Sequence, residues 1–219
     1  QVLAEHRGSV NIAVQTYFDH VGDSYEALTS LPVQAIGLDF VHDGGENARA
    51  VRTGFPEDKF LVAGVVDGRN VWINDNTASL DLIESLGVPK ETLAVGPSSS
   101  LMFVPIDVDM EDQLDPALRS WLSFADQKLE EIDLITRALN DGRDAVAIQL
   151  QERTNALRRR SESDLIHRQD VKARVAGVRD SDASRSEPFP RRRDVQRAKL
   201  GLPVLPTTTV GSFPQTAEV

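Results

Sequence analysis

Residues 59–70, KFLVAGVVDGRN, decide the fold class of this chain. The first part of the stretch is apolar and rich in β-branched residues, and the second part is a turn that contains Asp67, Arg69 and Asn70. A short apolar run that ends in turn residues predicts a buried β-strand. We therefore expect a strand over residues 59–66 that leaves the sheet at Asp67.

Segments of the same kind lie on both sides of this strand. Apolar residues predict three further strands, at 10–18, 34–41 and 92–95. The intervening segments favour helices, at 23–31, 44–53 and 77–86. Alternating β and α units imply an α/β fold with a parallel sheet and right-handed crossovers. Four such units form either half of an eight-unit barrel or a short doubly wound sheet.

Polar residues follow each predicted strand. They are Asp19 and His20, then His42 and Asp43, then Asp67, Arg69 and Asn70, and finally the serines at 98–100. Ligands bind at the carboxyl ends of the strands in barrels and in open parallel sheets alike. Loops are also polar in proteins that bind nothing there, so the pattern is compatible with solvated loops as well.

The second half of the chain is predicted to be helical and then extended. Asp115 and Pro116 are suited to begin one long helix, whose apolar stripe runs from Leu114 to Leu139. Residues 143–178 continue as more polar helix, 181–190 form a linker, and 191–200 return to helix. The arginine triplets at 158–160 and 191–193 are expected to be solvated, although either is able to contact phosphate.

Composition excludes several classes of protein. The chain has 219 residues, no cysteine, four histidines far apart in sequence and a net charge of −10. It therefore has no disulfide framework, no thiol nucleophile and no locally built zinc motif, and no apolar run is long enough to span a membrane. Residues 1–141 contain 9 Lys or Arg against 24 Asp or Glu, which predicts poor affinity for nucleic acid.

Residues 205–216, LPTTTVGSFPQT, resemble the motif that opens the C-terminal barrel of the cobalamin-independent methionine synthase family. Further segments that resemble the second half of the family's N-terminal barrel are TYF at 16–18, GVVDGRNVW at 64–72, VPID at 104–107 and LRSWLSFA at 118–125. The resemblance implies the second half of a (β/α)8 TIM-type barrel over 1–141. It further implies interdomain helices and a linker over 142–200, and the start of a C-terminal catalytic barrel over 201–219. The chain is therefore expected to be a fragment.

The function that the resemblance implies is a zinc-dependent methyl transfer in methionine biosynthesis. The family moves a methyl group from 5-methyltetrahydropteroyltri-L-glutamate to L-homocysteine, in the cytoplasm. Its zinc ligands and its proton-donating histidine belong to the second barrel, so no catalytic or metal-binding residue is expected in this chain, which is expected to be inactive alone. The expected partners are the two small-molecule substrates and the rest of the polypeptide, with no nucleic acid and no membrane.

The same resemblance assigns a substrate-binding site. Val210, Gly211 and Ser212 occupy the Ile-Gly-Ser position at which the family binds the amino-acid part of homocysteine. Val210 departs from the family's isoleucine by one methylene. The loops that contain Arg69 and the serines at 98–100 stand where the second barrel has catalytic loops, and they are expected to be retired from metal chemistry.

Two other classes of function remain open at the level of sequence. One is a stand-alone α/β module whose basic helices between Arg153 and Lys199 bind RNA or an acidic protein, which would make binding steeply dependent on salt. The other is a small hydrolase, which is disfavoured because the sequence contains no nucleophile-elbow pattern.

Overall fold

A computed structural model describes residues 2–207 of the chain. Its centre is a parallel sheet with the strand order β1-β2-β3-β4. The strands are β1 (Ala13–Gln15), β2 (Ala35–Asp39), β3 (Phe60–Val66) and β4 (Leu93–Pro97). The register pairs Ala13 with Ala35, and Ala35 with Phe60. The predicted α/β class and parallel strand direction are confirmed.

Helices connect and follow the strands. Before and between the strands lie α1 (Val2–His6), α2 (Tyr25–Thr29), α3 (Glu46–Thr53) and α4 (Asn76–Ser85). After β4 come α5 (Pro116–Arg119), α6 (Ala125–Asp141), α7 (Ala147–Glu162), α8 (Gln169–Ala176) and α9 (Phe189–Leu200). The helices predicted at 44–53 and 77–86 are confirmed, and Gly87 has the left-handed φ of 70° that suits a residue just past a helix end.

The core lies between the sheet and the helices that pack on it. Ile36, Leu38 and Leu61 from the strands are fully buried, and they join Leu80 from α4 and Ile135 from α6 in one apolar cluster. Burial of side chains of this size stabilises the fold by about 1.5–3 kcal/mol each. The carboxyl ends of the strands are therefore held in place by the packed core beneath them.

Gly64 allows strands β2, β3 and β4 to approach one another closely. A Cβ at this position would lie 2.7 Å from the carbonyl oxygen of Leu38 and 3.0 Å from that of Pro97. Both neighbours are backbone atoms of adjacent strands, so a side chain at 64 has no flexible group to displace. The close approach occurs where the pairing of β3 with β4 shifts register.

The first strand differs from the prediction. Residues 10–18 were expected to form one buried strand, but β1 contains only Ala13–Gln15, and none of its residues is fully buried. The physical reason is its place at the end of the strand order, where it pairs with β2 on one side only. The apolar residues of this segment therefore correctly predicted a strand, but they did not predict that the strand is buried.

The single long helix predicted from Asp115 is also wrong. Asp115 does cap a helix, because its carboxylate accepts hydrogen bonds from the N–H groups of Ala117 and Leu118, but α5 ends at Arg119. An antiparallel bridge between Trp72 and Leu122 then interrupts the helical stripe. The carbonyl of Trp121 accepts a hydrogen bond from the N–H of Ile73, and the N–H of Ser123 donates to the carbonyl of Val71. Because these backbone groups bond to the loop at 71–73, the segment around Leu122 is not helical.

The chain divides into two compact units, and the second begins at His167. The second unit contains α8 and α9, and neither helix has a buried residue. The extended linker predicted at 181–190 contains a short 3-10 turn, Asp180–Ala183, and α9 begins before its end. The domain boundaries at 141 and 200 stay predictions. Within residues 2–207, no helix is both long enough and apolar enough to cross a membrane.

Replacement of Gly64 by alanine is expected to lower the free energy of unfolding by about 1–3 kcal/mol, because the added methyl group meets two backbone carbonyls. Gly54→Ala is the matched control, since a Cβ there meets nothing within 4 Å. Urea unfolding followed by circular dichroism measures both. Equal stability of the two variants would contradict the close approach at Gly64.

Candidate functional site

A buried carboxylate organises the carboxyl edge of the sheet. Asp39 is the last residue of β2, and its side chain is fully buried. Its Oδ1 accepts hydrogen bonds from the N–H groups of Val41 (2.8 Å) and His42 (2.9 Å). Its Oδ2 accepts one from the N–H of Phe18 at 2.9 Å. Asp39 thus fixes the loops that follow β1 and β2 against each other.

His42 lies between two carboxylates. Its Nδ1 is 3.2 Å from Asp39 Oδ2, and its Nε2 is 3.4 Å from Asp67 Oδ2. A neutral imidazole donates from one nitrogen only, so only the doubly protonated ring donates to both carboxylates at once. The ring therefore links the end of β2 to the turn that follows β3.

The turn after β3 continues this polar chain. Asp67 accepts a hydrogen bond from the N–H of Arg69 at 2.8 Å and another from the side-chain amide of Asn70. Asn70 Oδ1 in turn accepts one from the N–H of Trp72 at 3.0 Å. The Nζ of Lys128 lies 3.3 Å from the carbonyl oxygen of Trp72 and 3.5 Å from Asn70 Oδ1, which brings helix α6 into the same network.

Lys128 and Glu131 are charged residues of α6 that are both fully buried. Glu131 Oε1 accepts a hydrogen bond from the N–H of Asn74 at 3.0 Å, and Arg153 Nη1 of α7 lies 3.9 Å from the same oxygen. Within residues 2–207, neither Glu131 Oε2 nor Ser123 Oγ has a hydrogen-bond partner. The Ser123 hydroxyl favours the charged form of the Glu131 carboxylate and so lowers its pKa, although the two groups do not have the geometry of a full hydrogen bond.

Burial acts on both charges in opposite directions. It lowers the pKa of Lys128 below its ordinary value, and the attraction of Glu131 and Asp67 opposes that shift. Burial raises the pKa of Glu131, which the N–H of Asn74 and the charge of Lys128 oppose. Each charge therefore makes the other less unfavourable in the interior.

Phe18 has an unusual backbone conformation above this network. Among the described residues, Phe18 is the one non-glycine residue with a positive φ, which is 78°. A bulky side chain in this region of backbone conformation costs about 1–3 kcal/mol. The Arg69 guanidinium carbon lies 4.5 Å from the centre of the Phe18 ring, and the Phe103 ring centre lies 5.5 Å away. We call the surface formed by Phe18, Arg69 and Phe103 the aromatic platform.

The structure brings together several of the residues predicted from sequence. His42, Asp67, Arg69 and Asn70 form one network at the carboxyl edge, as described above. Asp43 has a different role, because its buried carboxylate accepts hydrogen bonds from the N–H groups of Gly45 and Asn47 at the start of α3. Asp19 and His20 are exposed and lie 3.8 Å from each other. The predicted grouping is thus confirmed for the loops after β2 and β3.

Two predicted sets of residues have other outcomes. In the first arginine triplet, Arg160 stacks on the Trp72 ring at 3.9 Å and is therefore not simply solvated. Val210, Gly211 and Ser212 lie outside the described residues. Their binding role stays a prediction.

Sequence reasoning missed Asp39, Lys128 and Glu131. A signal for Lys128 was present, because it lies three residues after Ala125 and four before Ile132 and so falls on the apolar stripe of α6. A charge on such a stripe indicates a buried, paired group. The sequence signal for Asp39 was weaker, because an aspartate at the end of a strand is most often solvated.

The described residues do not fit a zinc site. The chain has no cysteine, and among residues 2–207 no group of three His, Asp or Glu side chains has an arrangement that would hold a metal ion. Asp39, His42 and Asp67 are instead engaged with one another and with backbone N–H groups. The arrangement is a structural network with an exposed aromatic surface above it.

Loss of Lys128 is expected to destabilise the fold more than simultaneous loss of both charges. Lys128→Met removes one of the two cations near the buried Glu131 and leaves Arg153, so the expected cost is at most about 3–5 kcal/mol, the cost of an unpaired buried charge. Lys128→Met with Glu131→Gln is expected to lose less. Because the pKa of Glu131 is already raised and rises further without Lys128, the deficit of the single variant should grow with pH above 4.5, the ordinary value, until the carboxyl is fully ionised.

The measurement is urea unfolding of the wild-type chain, the single variants and the double variant at several pH values. Strictly additive losses, or a deficit in Lys128→Met that shrinks as pH rises, would contradict the coupling of the two charges.

The sequence of this chain is similar to those of known proteins. Residues 1–90 match the family described as cobalamin-independent synthase, N-terminal domain. The chain is 46% identical to the 5-methyltetrahydropteroyltriglutamate–homocysteine methyltransferase of Listeria monocytogenes serotype 4b (strain F2365), over 96% of this chain and 28% of that protein. Proteins of the same name from Listeria welshimeri and Streptomyces avermitilis are 45% and 44% identical, over 100% and 95% of this chain.

The chain spans less than a third of the length of these relatives, because it covers 28%, 29% and 27% of them. The similarity extends over nearly all of the chain, including residues beyond the part that the family description matches. Over the segment that it spans, the chain is thus similar to 5-methyltetrahydropteroyltriglutamate–homocysteine methyltransferases.

Proposed function

We propose that this chain is part of a zinc-dependent methyltransferase that moves the methyl group of 5-methyltetrahydropteroyltri-L-glutamate to the sulfur of L-homocysteine and so makes L-methionine. The observation that carries the proposal is the 46% identity over 96% of the chain to a protein with that name. The alternative of a module that binds RNA or an acidic protein receives no support from the comparisons.

The fold is compatible with half of a barrel. The sheet has parallel strands in sequential order, and within residues 2–207 the outer sides of β1 and β4 have no strand partner. Further β/α units pairing with these edges would close the sheet. We propose the domain division stated above: 1–141 as half of the first barrel, 142–200 as the interdomain segment and 201–219 as the start of the second barrel.

This segment is proposed to support the reaction and not to perform its chemistry. A thiol attacks a methyl donor as the thiolate, and zinc supplies the means to form it at neutral pH. The described residues do not fit that ion, so its ligands are proposed to lie in the part of the relatives' length that this chain does not span. The network around Asp39 and His42 then acts as a scaffold that holds the loops at the sheet's carboxyl edge.

Val210, Gly211 and Ser212 are the residues of this chain that we propose to bind homocysteine. Gly211 would permit close approach of the backbone to the substrate, and Ser212 would offer a hydroxyl and an N–H to the amino-acid group. The proposal also includes a cytoplasmic location and contact with the rest of the polypeptide, with neither nucleic acid nor a membrane as partner.

The 219-residue chain alone is expected to form no methionine from the two substrates in the presence of zinc. A chimera that places the chain in the corresponding segment of the Listeria monocytogenes relative is expected to retain zinc-dependent turnover. Methionine formation is measured by mass spectrometry, with circular dichroism as a check that the chimera is folded. Turnover by the chain alone, or a folded chimera without activity, would contradict the proposal.

Ser212→Ala in the active chimera is expected to raise the KM for homocysteine about tenfold, because a hydrogen bond to a charged group contributes about 1.5–3 kcal/mol. The KM for the methyl donor should stay the same. Ser184→Ala, at an exposed position of the second unit, is the matched control. An unchanged KM for homocysteine would remove Ser212 from the site.

A further inference from the structure

A depression at the amino-terminal end of the sheet is separate from the network described above. It is lined by residues of the loop at 54–57, which leads into β3, and of the loop at 86–92, which leads into β4. Its volume of about 450 Å³ is in the range of small-molecule sites. Asp39 and the aromatic platform follow the opposite, carboxyl ends of the strands, so the depression does not involve the carboxyl-edge loops.

Part of the lining is apolar and belongs to the packed core. Val51 of α3 and Leu86, which follows α4, are buried. Phe55 and Val88 pack against the same core cluster, but they are only partly buried. They therefore present apolar surface in the depression, and a ligand that covers them is stabilised by the removal of that surface from water.

Arg52 adds a cation to the lining, and neutral groups hold its guanidinium. Its Nε donates to the carbonyl oxygen of Ser85 at 3.2 Å, and its Nη2 donates to Ser85 Oγ at 2.6 Å. These two bonds use one edge of the planar guanidinium, so the edge formed by Nη1 and Nη2 keeps two donors for an anion. Among the residues that the structure describes, no carboxylate forms an ion pair with Arg52.

Glu57 adds a charge of the opposite sign. Its side chain is exposed, and in the described part of the chain it accepts no hydrogen bond and forms no ion pair. Arg52 and Glu57 thus line one depression without pairing with each other. A cation and an anion arranged in this way suit a ligand that carries both charges itself.

Hydrogen bonds hold the walls of the depression in place without a ligand. The Tyr25 hydroxyl donates to the carbonyl oxygen of Gly54 at 2.9 Å, and the N–H of Thr92 donates to that of Pro89 at 3.1 Å. The contact between Arg52 and Ser85 also joins α3 to α4. Because the walls are already ordered, binding there requires little further loss of conformational entropy.

We propose that this depression binds a free L-α-amino acid with an apolar side chain. The carboxylate of the ligand binds the open edge of Arg52, its ammonium group binds Glu57, and its side chain packs on Phe55 and Val88. A simple carboxylate would leave Glu57 unused, and a purely apolar molecule would leave both charges unused. The class of ligand rests on the depression, whereas the choice of L-methionine as the occupant rests on the proposed function, of which it is the product.

The test is a titration of the isotope-labelled 219-residue chain with L-methionine, followed through the NMR chemical shifts of the backbone N–H groups. L-methioninamide lacks the carboxylate and N-acetyl-L-methionine lacks the ammonium group, so each is expected to bind about fivefold more weakly. L-alanine lacks the long side chain and is expected to bind about tenfold more weakly. Equal affinity for the four compounds, or unchanged shifts at Glu57 and Val88, would overturn the proposal.

A variant of Arg52 identifies the anion-binding group. Arg52→Gln is expected to weaken binding of L-methionine about fivefold. Arg49→Gln is the matched control, because Arg49 lies one turn earlier on α3 and Glu46 already pairs with it at 2.7 Å. An equal loss of affinity in Arg49→Gln would show a general effect of charge and overturn the assignment.

Glu57→Gln separates binding from structure. It removes no contact of Glu57 within residues 2–207, so the midpoint of urea unfolding should equal that of the wild-type chain while affinity for L-methionine falls about fivefold. Wild-type affinity in this variant would overturn the role of Glu57. Shifts at Glu57 and Val88 that depend on the concentration of the chain and not on that of the ligand would assign the depression to a second copy and overturn the proposal.

The outcomes distinguish this proposal from the proposed function. An active chimera, together with no binding of L-methionine at Glu57 and Val88, would overturn the amino-acid site and leave the methyl transfer intact. Binding that depends on Arg52 and Glu57, together with a folded but inactive chimera, would support the amino-acid site and contradict the methyl transfer.

Discussion

The buried carboxylate of Asp39 is the interaction on which the carboxyl edge depends. Three backbone N–H groups from two loops converge on it, and the His42 ring connects it to Asp67 in the turn after β3. A buried carboxylate without such donors would be strongly unfavourable, so the loops and the charge stabilise one another. The positions of Phe18 and, through Asp67, of Arg69 follow from this one group.

The paired charges of α6 perform a comparable task on the helical side of the network. Lys128 reaches the loop after β3 through the carbonyl of Trp72, and Glu131 accepts a hydrogen bond from the N–H of Asn74, two residues before α4. Both residues contact backbone atoms of the segment between β3 and α4. Such a pair contributes to the choice of one loop conformation more than to overall stability, because desolvation offsets much of its attraction.

The sequence predicted the fold where local pattern and tertiary packing agree, and it failed where they conflict. Strands β2 and β3 were predicted because an apolar run is enough to identify a buried parallel strand. The helix after Asp115 was predicted as continuous because its apolar spacing persists from Leu114 to Leu139, whereas the bridge between Leu122 and Trp72 is a long-range contact that no local pattern reveals. At the site, the polar loop residues were predictable from strand ends. The role of Asp39 depends on donors from another loop, and only the structure shows them.

The bridge between Trp72 and Leu122 also bears on the order of folding. It joins positions that are far apart in the chain, with α4, β4 and α5 between them, so closing it requires a large loss of chain entropy. Contacts of such high sequence separation tend to form late and to slow the approach to the native state. The sheet and α4 can therefore assemble before α6 and α7 dock, and until then the Trp72 indole lacks its contact with Arg160.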